Sequence, residues 1–265
     1  MSEKLAKVRN LLIDMDGVLY RGSTGLPGGP ELMRFMAQHD INYLMLTNNS
    51  TLTPDAFVGR LGGMGIDVPV ERIMTSGTAT AEYLGTLAPK GTKVNVVGEQ
   101  GLVDVLASYG FEIAGRDAEY VVCGWDKTIT YEKLKTACLA IRSGATFIGT
   151  NADKTYPIED GLIPGAGSIL ACLITATDTE PTVVGKPETR IYEMALQVLG
   201  ARPEETAMLG DRLDTDILGA YRAGITTIMV LTGVNSRQEA EAYDARPDYL
   251  LEGLPELLDL WETLV

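Results

Sequence analysis

The stretch 11-LLIDMDGVLY-20 decides how the rest of the chain is read. Leu11, Leu12 and Ile13 form an unbroken apolar run, which suits a short strand buried on both faces. Asp14 and Asp16 follow at once, beside the flexible Gly17, so two carboxylates emerge together where the strand ends. Neighbouring carboxylates in such a place are costly unless a cation accompanies them. Taken alone, the fragment has two other readings: an ordinary acidic turn, or the start of a calcium loop. The later ligands and closing glutamate of an EF-hand do not follow.

Outward from this point, apolar runs alternate with amphipathic stretches. The strand Val8 to Ile13 is followed by a helix through Glu31 to Gln38, a strand Ile41 to Leu46, and a helix near Pro54 to Leu61 with Thr53 as its N-cap. Further strands are expected at Lys93 to Val97, Tyr120 to Cys123, Thr146 to Ile148, Thr182 to Val184, Thr206 to Leu209 and Thr226 to Leu231. Strand and helix in alternation predict α/β architecture with a parallel sheet. In open sheets of this kind ligands gather beyond the carboxyl ends of the strands, so the polar residues that follow strands carry the functional information.

Three more polar clusters occupy such places. Thr47-Asn48-Asn49-Ser50 offers a hydroxyl, amides and backbone N–H groups suited to phosphate oxygens, although taken alone it reads as an ordinary strand-to-helix turn. Gly185-Lys186-Pro187-Glu188 places a compact positive charge near a helix start, where the plain alternative is a solvated loop lysine. Gly210-Asp211-Arg212-Leu213-Asp214-Thr215-Asp216 supplies hard oxygens suited to magnesium, with Asp211 the better direct ligand. Asp214 reads as a solvated charge at a helix start; Asp216 reads either as an orienting group or as a contact to hydrated metal. Two clusters lie near the beginning of the chain and two near the end. The stretch between them is expected to be a separate module, residues 81–179, inserted into a core of residues 1–80 and 180–265.

Composition narrows the chemistry. The chain has 265 residues, 45% of them hydrophobic, which is enough for a substantial core. Its formal net charge of -14 opposes nucleic-acid and anionic-membrane partners. The single histidine, His39, lies at an apparent helix end, so Ser-His-Asp hydrolysis, histidine-rich zinc sites and phosphohistidine relays lack their residues. Acid-base work falls to carboxylates. Cys123, Cys138 and Cys172 are widely spaced, and buried, unreactive thiols are expected rather than disulfides or a thiolate zinc site. GEQG near Gly98 and GAGS at Gly165 to Ser168 read as turns into helices rather than nucleotide fingerprints. With no apolar run of membrane length and no signal-like start, a soluble cytoplasmic protein is predicted.

Together and in order, the four clusters resemble the haloacid dehalogenase superfamily's motifs: DxDG, a strand-end threonine, a lysine, and GDxxxTD. Within it, DMDGVLYRG, TNNS, VVGKP and GDRLDTDI are similar to the NagD-like, p-nitrophenyl-phosphatase type. The inserted GWDKTITYEKL and NADKTYPIEDGLIPGAGSI are similar to the cap sequences of that subfamily. The resemblance implies a Rossmann-like core with an inserted α/β cap, and magnesium-dependent hydrolysis of a small phosphomonoester through an aspartyl phosphate. It implies Asp14 as nucleophile and Asp16 as general acid and base. Magnesium would be held by Asp14, the backbone carbonyl of Asp16, and Asp211, with Gly17 and Asp216 in support. Thr47, Asn48, Asn49 and Lys186 would hold phosphate.

The same aspartyl chemistry also fits a phosphotransferase or phosphomutase, and the binding residues alone fit a phosphate-ligand sensor. A small phosphorylated metabolite is the expected partner, and a homodimer the expected assembly. Trp125, Asp126, Lys127, Asn151, Asp153 and Tyr156 are candidate cap contacts to substrate, each with a fold-stabilising or solvent-facing alternative. Tyr131 and Leu134 are expected in the core of the cap.

Overall fold

The computed structural model describes residues 2–158 and 160–264. They divide into two compact units: residues 2–47, 57–74 and 186–264 form the first, and residues 48–56, 75–158 and 160–185 the second. The sequence expectation placed an insertion at 81–179. The second unit spans a wider range and includes the segment that follows Thr47.

The first unit is built on a six-stranded sheet in the order Tyr249–Leu251, Thr226–Val230, Thr206–Gly210, Asn10–Ile13, Asn42–Thr47, Ile73–Thr75. The strand Asn10–Ile13 lies inside it, paired in parallel with Thr206–Gly210 on one side and Asn42–Thr47 on the other. Its four residues are all buried, which is why it reads as an unbroken apolar run rather than an alternating one. Along the chain, three of these strands come before the long segment 76–185 of the second unit and three after it, and the order reverses beside Asn10–Ile13. That reversal is the doubly-wound arrangement in which the crevice opens beyond the strand ends.

The flanking helices follow from their sequences. Gly29–Gln38 begins with a proline in its first turn and buries Leu32, Phe35 and Met36, an i, i+3, i+4 stripe. It ends at His39, whose ring packs on Phe35 with centroids 4.5 Å apart. The lone histidine is therefore an exposed helix end, as its position suggested.

The second unit carries a five-stranded sheet in the order Thr182–Val183, Thr146–Gly149, Tyr120–Cys123, Lys93–Val97, Glu112–Ile113, with every pair parallel. The helices Ser76–Leu87, Gln100–Ser108, Tyr131–Arg142 and Ala166–Thr177 belong to it. Thr75 and Thr78 form a reciprocal capping box at the start of the first of these. Trp125, Ala137, Ile141, Phe147, Leu170 and Leu173 pack in one cluster, with Leu134 against it.

Two expectations fail in this unit. Tyr131 is 78% exposed, because it is the first residue of its helix, just after the Thr130 cap, and projects from the packed face. Of the three thiols, only Cys123 is buried; Cys138 is half-buried and Cys172 exposed, the latter two on the helices Tyr131–Arg142 and Ala166–Thr177.

Replacing Leu12 by alanine in the central strand removes a fully buried side chain and should cost about 2–5 kcal/mol. A lower urea midpoint is expected. An unshifted midpoint would contradict the place given to this strand.

Candidate active site

Asp14 and Asp211 immediately follow two adjacent parallel strands, with Ile13 opposite Leu209 and the Asp14 N–H donating to the Leu209 carbonyl at 2.9 Å. The fold thus sets both carboxylates at the reversal of strand order. Lys186, which the sequence left open as a solvated loop residue, is only 2% exposed. Its ammonium donates to Asp14 Oδ1 at 2.8 Å, to Asp216 Oδ1 at 2.6 Å and to the carbonyl of Leu46 at 2.9 Å. Three donors on one nitrogen therefore meet acceptors from three separate parts of the chain.

The residues after Asp211 enter a π-helical turn, Leu213–Ile217, in which the Ile217 N–H reaches back to the Arg212 carbonyl at 3.1 Å. This wide turn points Asp216 inward. Asp216 Oδ2 accepts from the backbone N–H groups of Asp211 at 3.2 Å and Arg212 at 3.1 Å, so it braces the segment that carries Asp211. The buried Tyr192 hydroxyl lies 3.1 Å from the carbonyls of both Thr215 and Asp216 and donates to them. Asp214 is half-exposed and pairs with Arg212 at 3.4 Å, in keeping with a solvated charge.

Asp14, Asp211 and Asp216 can each offer one oxygen, all within 4.8 Å of one another, and all three are buried. One ammonium stands against three carboxylates. Burial raises the Asp14 carboxyl well above its ordinary range; Lys186 opposes that rise, while Asp216 and Asp211 add to it. Asp211 is pushed up to about 7, by burial first and by the charge of Asp216 next. For Lys186, burial works to lower the pKa, but the charges of Asp14 and Asp216 outweigh it and hold the ammonium protonated. Asp211 Oδ1 is buried and has no hydrogen-bond partner among the described residues. A surplus of hard anionic oxygens, one of them unanswered, fits a divalent cation such as magnesium.

The other expected residues distribute as follows. Asp16 is half-buried and accepts from the Tyr20 hydroxyl at 3.1 Å. Gly17 has φ of +85°, and a Cβ there would lie 2.5 Å from Asp211 Oδ2, so close approach as well as turn geometry requires glycine. Thr47 is buried at the end of its strand. Asn48 and Asn49 group with the second unit. There the Asn48 amide donates to Asp153 at 3.0 Å, and the Asn49 carbonyl oxygen accepts from the N–H and hydroxyl of Thr51.

Of the candidate cap contacts, Trp125 stacks on Tyr156 with centroids 4.1 Å apart, and Lys127 lies over the Trp125 ring. Asp126 is buried against Lys133 at 2.6 Å. Asn151 donates to the Asn48 carbonyl at 2.8 Å.

Two family models match the chain: haloacid dehalogenase-like hydrolase over residues 11–112 and HAD-hydrolase-like over residues 183–257. The chain belongs to the haloacid dehalogenase-like hydrolase family. It is 38% identical to the dihydroxyacetone phosphatase of Corynebacterium glutamicum, over 95% of this chain and 91% of that protein. It is also 38% identical to the 5'-nucleotidase YutF of Bacillus subtilis, over 94% of this chain and 96% of the other. The crystal structure of a 4-nitrophenylphosphatase from Thermotoga maritima superposes with a TM-score of 0.92 at 35% identity, covering 97% of this chain and 98% of that one. The expected subfamily and the enzyme class, a phosphomonoester phosphatase, stand on these likenesses.

Within this family architecture, sequence reasoning passed over several groups that hold the site: the Leu46 carbonyl, Tyr192, and the segment after the strand Thr226–Val230. The last was findable. Thr232-Gly233-Val234-Asn235 follows a strand end just as the four motifs do, but it lacks the titratable side chain that marks three of those four.

The Asp211 pKa leads to a stability prediction. Its folded value lies above the ordinary 3.8, so the folded protein loses stability as pH climbs towards about 7 and the buried carboxyl ionises. Asn at this position does not titrate. In EDTA, the melting temperature of Asp211→Asn relative to wild type should therefore rise between pH 5 and pH 8, by about 2–4 °C for each kcal/mol. A difference that ignored pH would show that Asp211 ionises freely.

Proposed function

We propose that this protein hydrolyses a small phosphomonoester in a magnesium-dependent reaction, with Asp14 as nucleophile. The observation that carries the proposal is the buried group of Asp14, Asp211 and Asp216 around one lysine, with an unanswered Asp211 oxygen. Asp14, the Asp16 backbone carbonyl and Asp211 would hold the ion, with Asp216 bracing Asp211. When bound, magnesium supplies positive charge to the phosphoryl oxygens and offsets the carboxylates.

In the first half-reaction a carboxylate oxygen of Asp14 bonds to phosphorus as the ester P–O bond breaks, and Asp16 gives its proton to the departing oxygen. Water then attacks phosphorus, Asp16 takes a proton from it, and the Asp14–phosphate bond breaks to release phosphate. Asp16 is suited to both steps because it stands two residues from the nucleophile, less buried than Asp14, with a Tyr20 hydroxyl to orient it. Lys186 and Thr47 belong to the proposal as phosphate-binding groups, and so do Asn48 and Asn49.

The second unit, with its own sheet and core, is proposed as the substrate-selecting cap. Two relatives of equal identity are named for different substrates, so the preferred ester is set outside the shared motifs. Among the described residues no helix is long and apolar enough to cross a membrane. A cytoplasmic homodimer acting on a phosphorylated metabolite completes the proposal.

Phosphate release from a panel of phosphomonoesters should require magnesium and should vanish in a folded Asp14→Asn protein. Turnover by that variant would overturn the nucleophile assignment, and transfer of phosphate to a second hydroxyl compound in preference to water would replace hydrolysis with transfer. Asp16→Asn should lose most rate, about 100-fold or more, towards esters with poor leaving groups and less towards 4-nitrophenyl phosphate, whose leaving group needs little protonation. Equal losses on both would remove the acid role.

A further inference from the structure

The segment Thr232 to Asn235 touches three parts of the carboxylate cluster's framework, the turn after the first strand, Asp211 and the π-helical turn, yet carries no charge. The Thr232 hydroxyl donates to the Gly17 carbonyl at 2.6 Å, next to the turn that bears Asp14 and Asp16. The Val234 N–H donates to Asp211 Oδ2 at 2.9 Å. Asn235 Oδ1 accepts from the N–H of Leu213, the first residue of the π-helical turn, at 3.0 Å. A Cβ on Gly233 would lie 1.7 Å from Asp211 Oδ2, so this backbone lies directly against the carboxylate. The Arg21 guanidinium donates to the Thr232 carbonyl and ties the same loop to the segment after Gly17.

The arrangement has a directional consequence. Asp211 Oδ2 is engaged by the loop, which leaves Oδ1 as the buried oxygen with no hydrogen-bond partner among the described residues. The loop therefore selects which oxygen Asp211 offers, and the Thr232 hydroxyl keeps the loop in register with the Asp14–Gly17 turn. We propose that Thr232 is a positioning residue for the metal-binding carboxylates, linking the turn after the first strand to the loop that holds Asp211. This rests on the magnesium reading above. Thr232 is assigned no contact with ion or substrate; it acts through Gly17 and the loop.

The test is calorimetric titration of magnesium chloride into EDTA-stripped, full-length protein, with no substrate present. Wild type, Thr232→Val and Thr232→Ser are compared, and melting temperatures are recorded in EDTA. Valine keeps the shape and removes the hydroxyl. Groups that orient metal ligands typically change affinity by about 10–100-fold, so the Thr232→Val dissociation constant should rise by about 10-fold or more while Thr232→Ser stays close to wild type. Should the valine variant not fold, Thr232→Ala is read by the same criterion.

Equal magnesium affinity in wild type and the hydroxyl-free variant overturns the proposal, as does a lowered melting temperature with unchanged affinity, which would make Thr232 a packing residue only. Failure of the serine variant to restore affinity overturns the role of the hydroxyl. Absence of magnesium binding by wild type itself is a separate result: it removes the metal reading, and the positioning role with it.

Discussion

Three carboxylates share a buried space with a single ammonium, and the organisation of the first unit answers to that imbalance. Buried charge is tolerated only when paired or coordinated, and leaving one member unpaired is costly. Lys186 compensates part of the charge, backbone N–H groups of Asp211, Arg212 and Val234 answer individual oxygens, and the remainder fits the cation of the proposed reaction. The parallel sheet makes this possible by ending neighbouring strands side by side. The π-helical turn adds Asp216 from a direction that a regular helix starting at the same place would not supply.

The core architecture was legible because the strands that matter most are buried on both faces. Lys93–Val97 and Tyr120–Cys123 agree residue for residue with the strands expected there, and the central strand differs only at its start, where Val8 and Arg9 precede the ladder. Ile73–Thr75, Glu112–Ile113 and Tyr249–Leu251 were not read. Each lies at a sheet edge and is two or three residues long, too short for periodicity to register.

The candidate site was legible as a set of strand-end clusters, and less so in its geometry. Nothing local to Gly185-Lys186-Pro187 signals burial, since the acceptors for Lys186 come from Asp14, Leu46 and Asp216, distant in sequence. Likewise Tyr192 looks like one more apolar position of its helix until the fold brings the carbonyls of Thr215 and Asp216 to its hydroxyl. Tyr131 shows the converse: a large ring in a helical pattern reads as core, although its place at the helix start leaves it outside.

Lys186 also acts as a cross-link. The described cysteines form no disulfide, yet this one side chain joins the ends of two strands and the π-helical turn through buried ionic and hydrogen bonds. Closing such long loops constrains the chain in the manner of a covalent bridge, though reversibly. Loss of activity on truncating Lys186 would therefore mix two causes, removal of the proposed phosphate-binding group and an opened chain. An arginine, always charged but bulkier and forked, would keep the sign of the charge without reproducing the single-point junction. The chemistry and the connectivity of the site reside in the same nitrogen.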